Sequence, residues 1–153
     1  MTASGTFGYG VEMADYVDLN VLGALVVKTI TREPRAGNPM PRVIETPSGL
    51  LNAIGLQNDG LDDFLNEKLP FLRQFDTKIV ANVAGESVED YAHMTAAMDR
   101  ADGVDAIEMN LSCPNVARGL DFSRTPDAVR EMVTQCRSMT SKTLIAKLSP
   151  NVT

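Results

Sequence analysis

The chain has 153 residues, 44% of them apolar and 22% charged, with a net charge of −6 and a single histidine, His93. That length allows one domain with a real core, and the composition is that of a soluble globular protein. An acidic balance without a basic run argues against nucleic acid as a partner. One histidine argues against Ser-His hydrolases and histidine-rich metal sites, and no apolar stretch approaches the roughly 20 residues that cross a bilayer.

Two distant cysteines, Cys113 and Cys136, make neither a disulfide framework nor a zinc site. The N-terminus Met1–Gly5 shows no basic and apolar signal segment, so a reducing cytoplasm is the expected setting.

In chain order, Ala3–Gly10 (ASGTFGYG) is rich in glycine. Its spacing is not a dinucleotide fingerprint, but its glycines would let backbone approach a flat ligand; a plain flexible terminus is the alternative. Ala24–Ile30 reads as a buried strand. The segment Thr31–Asp59 breaks the pattern with Pro34, Pro39, Pro41 and Pro47, and Arg42–Thr46 with Leu50–Asn52 could pair as a small hairpin inside it. Gly60–Phe75 has a helical apolar face, interrupted by Pro70, which should end or kink it.

Further strands are expected at Lys78–Ala84, Ala106–Ser112 and Thr143–Ser149. Between them fall a helix over Ser87–Ala101, capped by Ser87, and one opening at Thr125-Pro126 and running to about Met139. Alternating strands and helices imply an α/β fold with a parallel sheet, by a barrel or a doubly wound route.

Side chains alternate across a strand, so each buried run can be divided into two faces. Lys28, Asn82, Asn110 and Lys147 each fall late on one face of an otherwise apolar strand. In a parallel barrel, strand C-termini surround the active site, and buried polar groups at equivalent places point to one shared pocket. Taken singly, each lysine could reach solvent and each asparagine could cap a turn. Cys113 follows the third strand of this set at the start of a loop, where a tuned thiol can act as a general base. Cys136 lies within a helix and reads as packing, and His93 as a surface or helix-packing residue.

The stretches ASGTFGYG (3–10), VKTIT (27–31), GNPMPR (37–42), ETPSGLLNAIGLQN (45–58), ANVAG (81–85), NLSCPNV (110–116) and KLSPNVT (147–153) carry a resemblance. Together, in order and spacing, they resemble the class 1 dihydroorotate dehydrogenases, particularly the B-type catalytic subunit. The resemblance implies a (β/α)8 TIM barrel holding FMN at the strand C-termini and oxidising dihydroorotate to orotate in pyrimidine synthesis. It implies that Cys113 takes a proton from substrate C5 while hydride leaves C6 for flavin N5.

Lys28, Asn52, Asn110, Asn115 and the backbone of Ile54, Gly55 and Leu56 would hold the substrate. Ala3, Ser4, Gly5, Lys28, Thr29, Asn82, Asn110 and Lys147 would contact FMN, and no metal is implied on this chain. B-type members pair with a subunit carrying FAD and an iron–sulfur cluster, with NAD+ as final acceptor, and a homodimer is expected. The loop 116–123 (VARGLDFS) departs from the glycine pair of many B-type members, which leaves fumarate-linked A-type chemistry as the other subtype.

A full barrel needs about 250 residues. The chain is therefore expected to run from the end of strand 1 through strand 5, truncated at both ends relative to the family, and to bind FMN poorly alone. The competing functions are a dihydropyrimidine dehydrogenase-like flavin barrel and a non-catalytic fragment.

Overall fold

The computed structural model describes residues 1–112, 121–123 and 125–149. Four strands, β1 (Ala24–Val26), β4 (Lys78–Val83), β5 (Ala106–Asn110) and β6 (Thr143–Lys147), form one sheet. Every pairing is parallel and the spatial order β1-β4-β5-β6 follows the chain. Between β1 and β4 lie a hairpin, β2 (Val43–Thr46) with β3 (Gly49–Asn52), and a helix in three parts: α1 (Gly60–Asp63), a π-helical turn (Phe64–Lys68) and α2 (Leu69–Leu72). Helix α3 (Val88–Arg100) precedes β5 and α4 (Pro126–Ser138) precedes β6.

Two cores show how the sheet is covered. Leu25, Val27, Ile79, Ala81, Val83, Ile107 and Met109 pack against Phe64, Leu69 and Leu72 of the first helix, Tyr91, Met94 and Met98 of α3, and Met132 and Cys136 of α4. The alternate residues Val26, Val80 and Ala106, with Ala24 and Ile145, form a separate small cluster that no helix joins. Helices on one face and strands in chain order decide between the two routes open from the sequence. A doubly wound sheet reverses its strand order and is helix-covered on both faces; this sheet is part of a (β/α)8 barrel wall whose small cluster faces inward.

The capping expectations hold at both long helices. Ser87 Oγ accepts from the Asp90 N–H at 3.1 Å, and Thr125 Oγ1 accepts from the Ala128 N–H at 3.2 Å. Pro70 neither ends nor sharply breaks its helix. The ring lacks an N–H and would crowd the carbonyl of Asn66. The turn before it widens instead, with the Leu69 N–H reaching the Phe64 carbonyl, and the helix stops at Leu72 rather than Phe75.

The expected strands are also shorter than their apolar runs. β4 ends at Val83, β5 at Asn110 and β6 at Lys147, and Ala84 joins the helix-side core. The largest departure is in Ala24–Ile30. The Val27 N–H donates to the Val80 carbonyl at 3.1 Å, and the Ile30 N–H donates to the Asn82 carbonyl at 2.9 Å. Three steps along one strand thus oppose two on the other, which makes a β-bulge at Lys28–Thr29.

Candidate active site

The C-terminal rim of the sheet gathers polar side chains on the inward face. Asn82, which has no exposed surface, lies opposite Glu108 in the β4–β5 register, and its Nδ2 donates to Glu108 Oε1 at 2.5 Å. One step higher, Asn110 pairs in register with Lys147. Asn110 Nδ2 donates to Thr29 Oγ1 at 3.2 Å, and the Ser112 hydroxyl donates to Asn110 Oδ1 at 3.1 Å. Tyr91 of α3 donates its hydroxyl to the Asn110 carbonyl at 2.7 Å, which anchors the strand end from the helix side.

The bulge brings Thr29 into this set. Uninterrupted alternation from Leu25 and Val27 would place Thr29 among the helix-facing residues. The inserted residue re-aims it toward Asn110, a use of bulges common next to active sites. Lys28 and Lys147 are half-buried, and among the described residues neither forms an ion pair.

The glycine-rich N-terminal segment is tied to the free edge of β1. The Thr2 N–H donates to the Ala24 carbonyl at 3.2 Å, and Thr2 Oγ1 accepts from the Val26 N–H at 2.9 Å. The Lys28 N–H then donates to the Gly8 carbonyl at 2.8 Å. Ala3, Ser4 and Gly5 lie between these ties. Gly5 has φ +81°, with open space where a Cβ would stand.

The excursion 31–59 is closed by Asn58, which is 4% exposed. Its Oδ1 accepts from the N–H groups of Thr31 (3.2 Å) and Gly60 (3.0 Å), and its Nδ2 donates to Thr31 Oγ1 and the Leu56 carbonyl, both at 2.9 Å. Ile54–Leu56 is pinned by Asn38, whose N–H donates to the Ile54 carbonyl at 2.9 Å and whose Nδ2 donates to the Ala53 carbonyl at 2.8 Å. Gly55 (φ +78°) and Leu56 (φ +59°) are both left-handed. A Cβ on Gly55 would stand 2.8 Å from Asn38 Cγ, and a bulky residue such as Leu56 in this region is strained.

Of the residues singled out from sequence, the structure joins Thr29, Asn82 and Asn110 into one rim and sets Lys147 beside Asn110. Asn52 is exposed on β3, and among the described residues no hydrogen bond links it or Ile54–Leu56 to the rim. Cys113 and Asn115 lie outside the described residues. Cys136 is fully buried beside Met132, and burial pushes its thiol up from the ordinary value, as suits packing. Glu108, Tyr91 and Asn58 were not among the sequence candidates. For Glu108 the signal was present: an acid on the inward face of a buried strand.

The family model for dihydroorotate dehydrogenase matches residues 1–153. The chain belongs to the dihydroorotate dehydrogenase family. It is 52% identical over 153 residues to the dihydroorotate dehydrogenase B (NAD(+)) catalytic subunit of Thermoanaerobacter sp. (strain X514), covering 99% of this chain and 50% of that protein. It is 53% identical over 154 residues to the subunit of the same name from Geotalea daltonii, covering 100% and 50% respectively. The chain thus spans about half the length of these relatives. Among solved structures, a ligand-free dihydroorotate dehydrogenase from Eimeria tenella superposes with a TM-score of 0.71 at 22% identity, covering 84% of this chain and 44% of that one. At that identity the likeness is one of fold, and it agrees with the barrel wall read from strand order.

Proposed function

We propose that this chain forms the first half of the barrel in an NAD+-linked dihydroorotate dehydrogenase, a cytoplasmic enzyme that oxidises dihydroorotate to orotate. The observation that carries the reading is the rim itself. Thr29, Asn82 and Asn110 converge at the strand C-termini of a chain that matches the family from end to end. The implied cofactor is FMN, which supplies the two-electron acceptor when bound.

The residues present fit such a group. Asn82 Oδ1 is buried without a protein donor, and an unsatisfied buried acceptor costs about 1–3 kcal/mol unless something answers it. The open space over Gly5 admits a flat ring close to backbone. In this reading Ala3, Ser4, Gly5, Thr29, Asn82 and Asn110 hold the cofactor. Lys28 and Lys147 set positive charge beside it, favouring its electron-rich reduced form. Asn52, Asn110, Asn115 and the backbone of Ile54–Leu56 orient the pyrimidine and its carboxylate. Cys113 takes the C5 proton. A separate electron-transfer subunit and a second copy of the chain complete the assembly.

Anaerobic single-turnover reduction of the full-length protein tests this. Dihydroorotate should bleach the flavin absorbance and dihydrouracil should not; the reverse preference would move the chain to a dihydropyrimidine dehydrogenase-like activity. Cys113→Ala should retain FMN but slow reduction by about 100-fold or more. Cys113→Ser should keep part of the rate and favour higher pH, because a hydroxyl is the poorer base. Unchanged reduction by Cys113→Ala at neutral pH would remove Cys113 from the base role.

A further inference from the structure

Asn82 and Glu108 form a pair whose balance is incomplete. They face each other across the β4–β5 register, both on the inward wall, with Asn82 wholly buried and Glu108 7% exposed. The single bond between them runs from Asn82 Nδ2 to Glu108 Oε1 at 2.5 Å. Among the described residues Asn82 Oδ1 has no partner and Glu108 has no ion pair.

Glu108 Oε1 accepts from Asn82 Nδ2, and this bond dictates which way the Asn82 amide faces. The flipped amide would set its oxygen against the Glu108 oxygens, acceptor to acceptor, in a site with little water to screen them. Glu108 holds the NH2 end and leaves the carbonyl end as the only free polar function of Asn82. A fixed, dry acceptor is complementary to an N–H and repels a carbonyl. The pyrimidine end of a flavin carries one N–H, at N3, between two carbonyls.

We propose that Glu108 is a positioning residue of the cofactor site: it fixes the Asn82 amide so that Oδ1 receives the N3–H of the flavin. This rests on the FMN reading above. Glu108 itself need not touch the cofactor. Its effect passes through Asn82, which distinguishes it from a residue that merely fills the barrel interior.

The test uses the full-length protein with FMN and a double-mutant cycle. FMN dissociation constants are measured by fluorescence quenching for wild type, Asn82→Ala, Glu108→Ala and the double variant. Glu108→Ala should weaken FMN binding by about tenfold, and by almost nothing further once Asn82 is already Ala. Glu108→Gln is the conservative control. Its side-chain amide can donate to Asn82 Oδ1 as well as accept, so it should weaken binding too, although it preserves shape.

A second readout needs no variant to fold. With 15N-labelled FMN, the N3–H of the wild-type complex should exchange slowly with water and resonate away from its position in free FMN. Additive losses in the cycle, or an N3–H that behaves as in free FMN, would overturn the role of Glu108 and leave the FMN reading intact. A full-length protein that binds no FMN would overturn both.

Discussion

Asn58 offers a sharp test of how the excursion 31–59 is held. Asn58→Ala removes the acceptor of two backbone donors, Thr31 N–H and Gly60 N–H, and the donor to Thr31 Oγ1 and the Leu56 carbonyl. Thr31 and Gly60 are buried, and a Cβ at Gly60 would lie 2.9 Å from Pro34 N, so little room exists for water to replace the side chain. Each buried group left unsatisfied costs about 1–3 kcal/mol, which puts the loss for the two amides at roughly 2–6 kcal/mol.

Asn58→Asp keeps the acceptor for both amides but sets its second oxygen against the Leu56 carbonyl in a buried site, so it should also cost several kcal/mol while leaving the two amides bonded. Amide hydrogen exchange on the full-length protein reads the effect at the site: Thr31 and Gly60 should lose protection in the Ala variant and keep it in the Asp variant. Because the excursion carries Asn52 and Ile54–Leu56, proposed above to orient the substrate, the Ala variant of the full-length protein should raise KM for dihydroorotate more than it lowers kcat. Protection unchanged at both amides, with a stability change under about 0.5 kcal/mol, would refute the clasp.

Other consequences follow from single contacts. Gly55→Ala places a methyl against Asn38 at a left-handed position, so it should displace Ile54–Leu56 and weaken orotate binding, read by titration, with FMN affinity unchanged. Thr125→Ala should cost about 1 kcal/mol in urea unfolding through the lost cap of α4. Asp99 accepts from the Thr140 hydroxyl and the Ser141 N–H, and these bonds hold its carboxyl below the ordinary value. A depressed carboxyl stabilises the fold above its unfolded pKa and loses that contribution as pH falls through the folded one. Asp99→Asn should therefore flatten the acid limb of the stability–pH curve; an unchanged limb would contradict the assignment. At roughly pH 8, iodoacetamide should spare Cys136 in the native protein and modify it on unfolding, because burial disfavours its thiolate.

Much of this fold was legible because it is written in residue spacing. Ser87 and Thr125 mark helix starts, and the alternation of Ile79, Ala81 and Val83 with Val80 and Asn82 separates the two faces of β4. What alternation could not show is an extra residue. Ala24–Ile30 is apolar throughout until Lys28, so nothing in it announces the bulge, and Thr29 could be placed inward only by the family resemblance. The π turn is a similar case. Pro70 signals a disturbance, but whether a helix breaks or widens depends on whether Phe64, Leu69 and Leu72 keep their places in the core, and they do. Glu108 is legible as inward-facing, but its pairing with Asn82, 26 residues away in the chain, is not.

The contrast between Asn58 and Asn82 shows how buried asparagines separate into structural and functional ones. Both are almost or wholly inaccessible; Asn82 lies next to the last residue of β4, and Asn58 clasps Thr31 just past the bulge that follows β1. Asn58 uses both ends of its amide on this chain's own Thr31, Leu56 and Gly60. Its account is closed, so a ligand has nothing to offer it, and its loss should appear as stability and loop order. Asn82 uses only its NH2 end, on Glu108, and its Oδ1 has no partner among the described residues. An amide fixed at one end and unanswered at the other gains from a ligand donor more than the bare chain can supply. The loss of Asn82 should therefore appear in cofactor affinity, beside whatever stability Glu108 loses with its donor. Proximity to the strand ends does not distinguish the two residues, but the tally of satisfied atoms does.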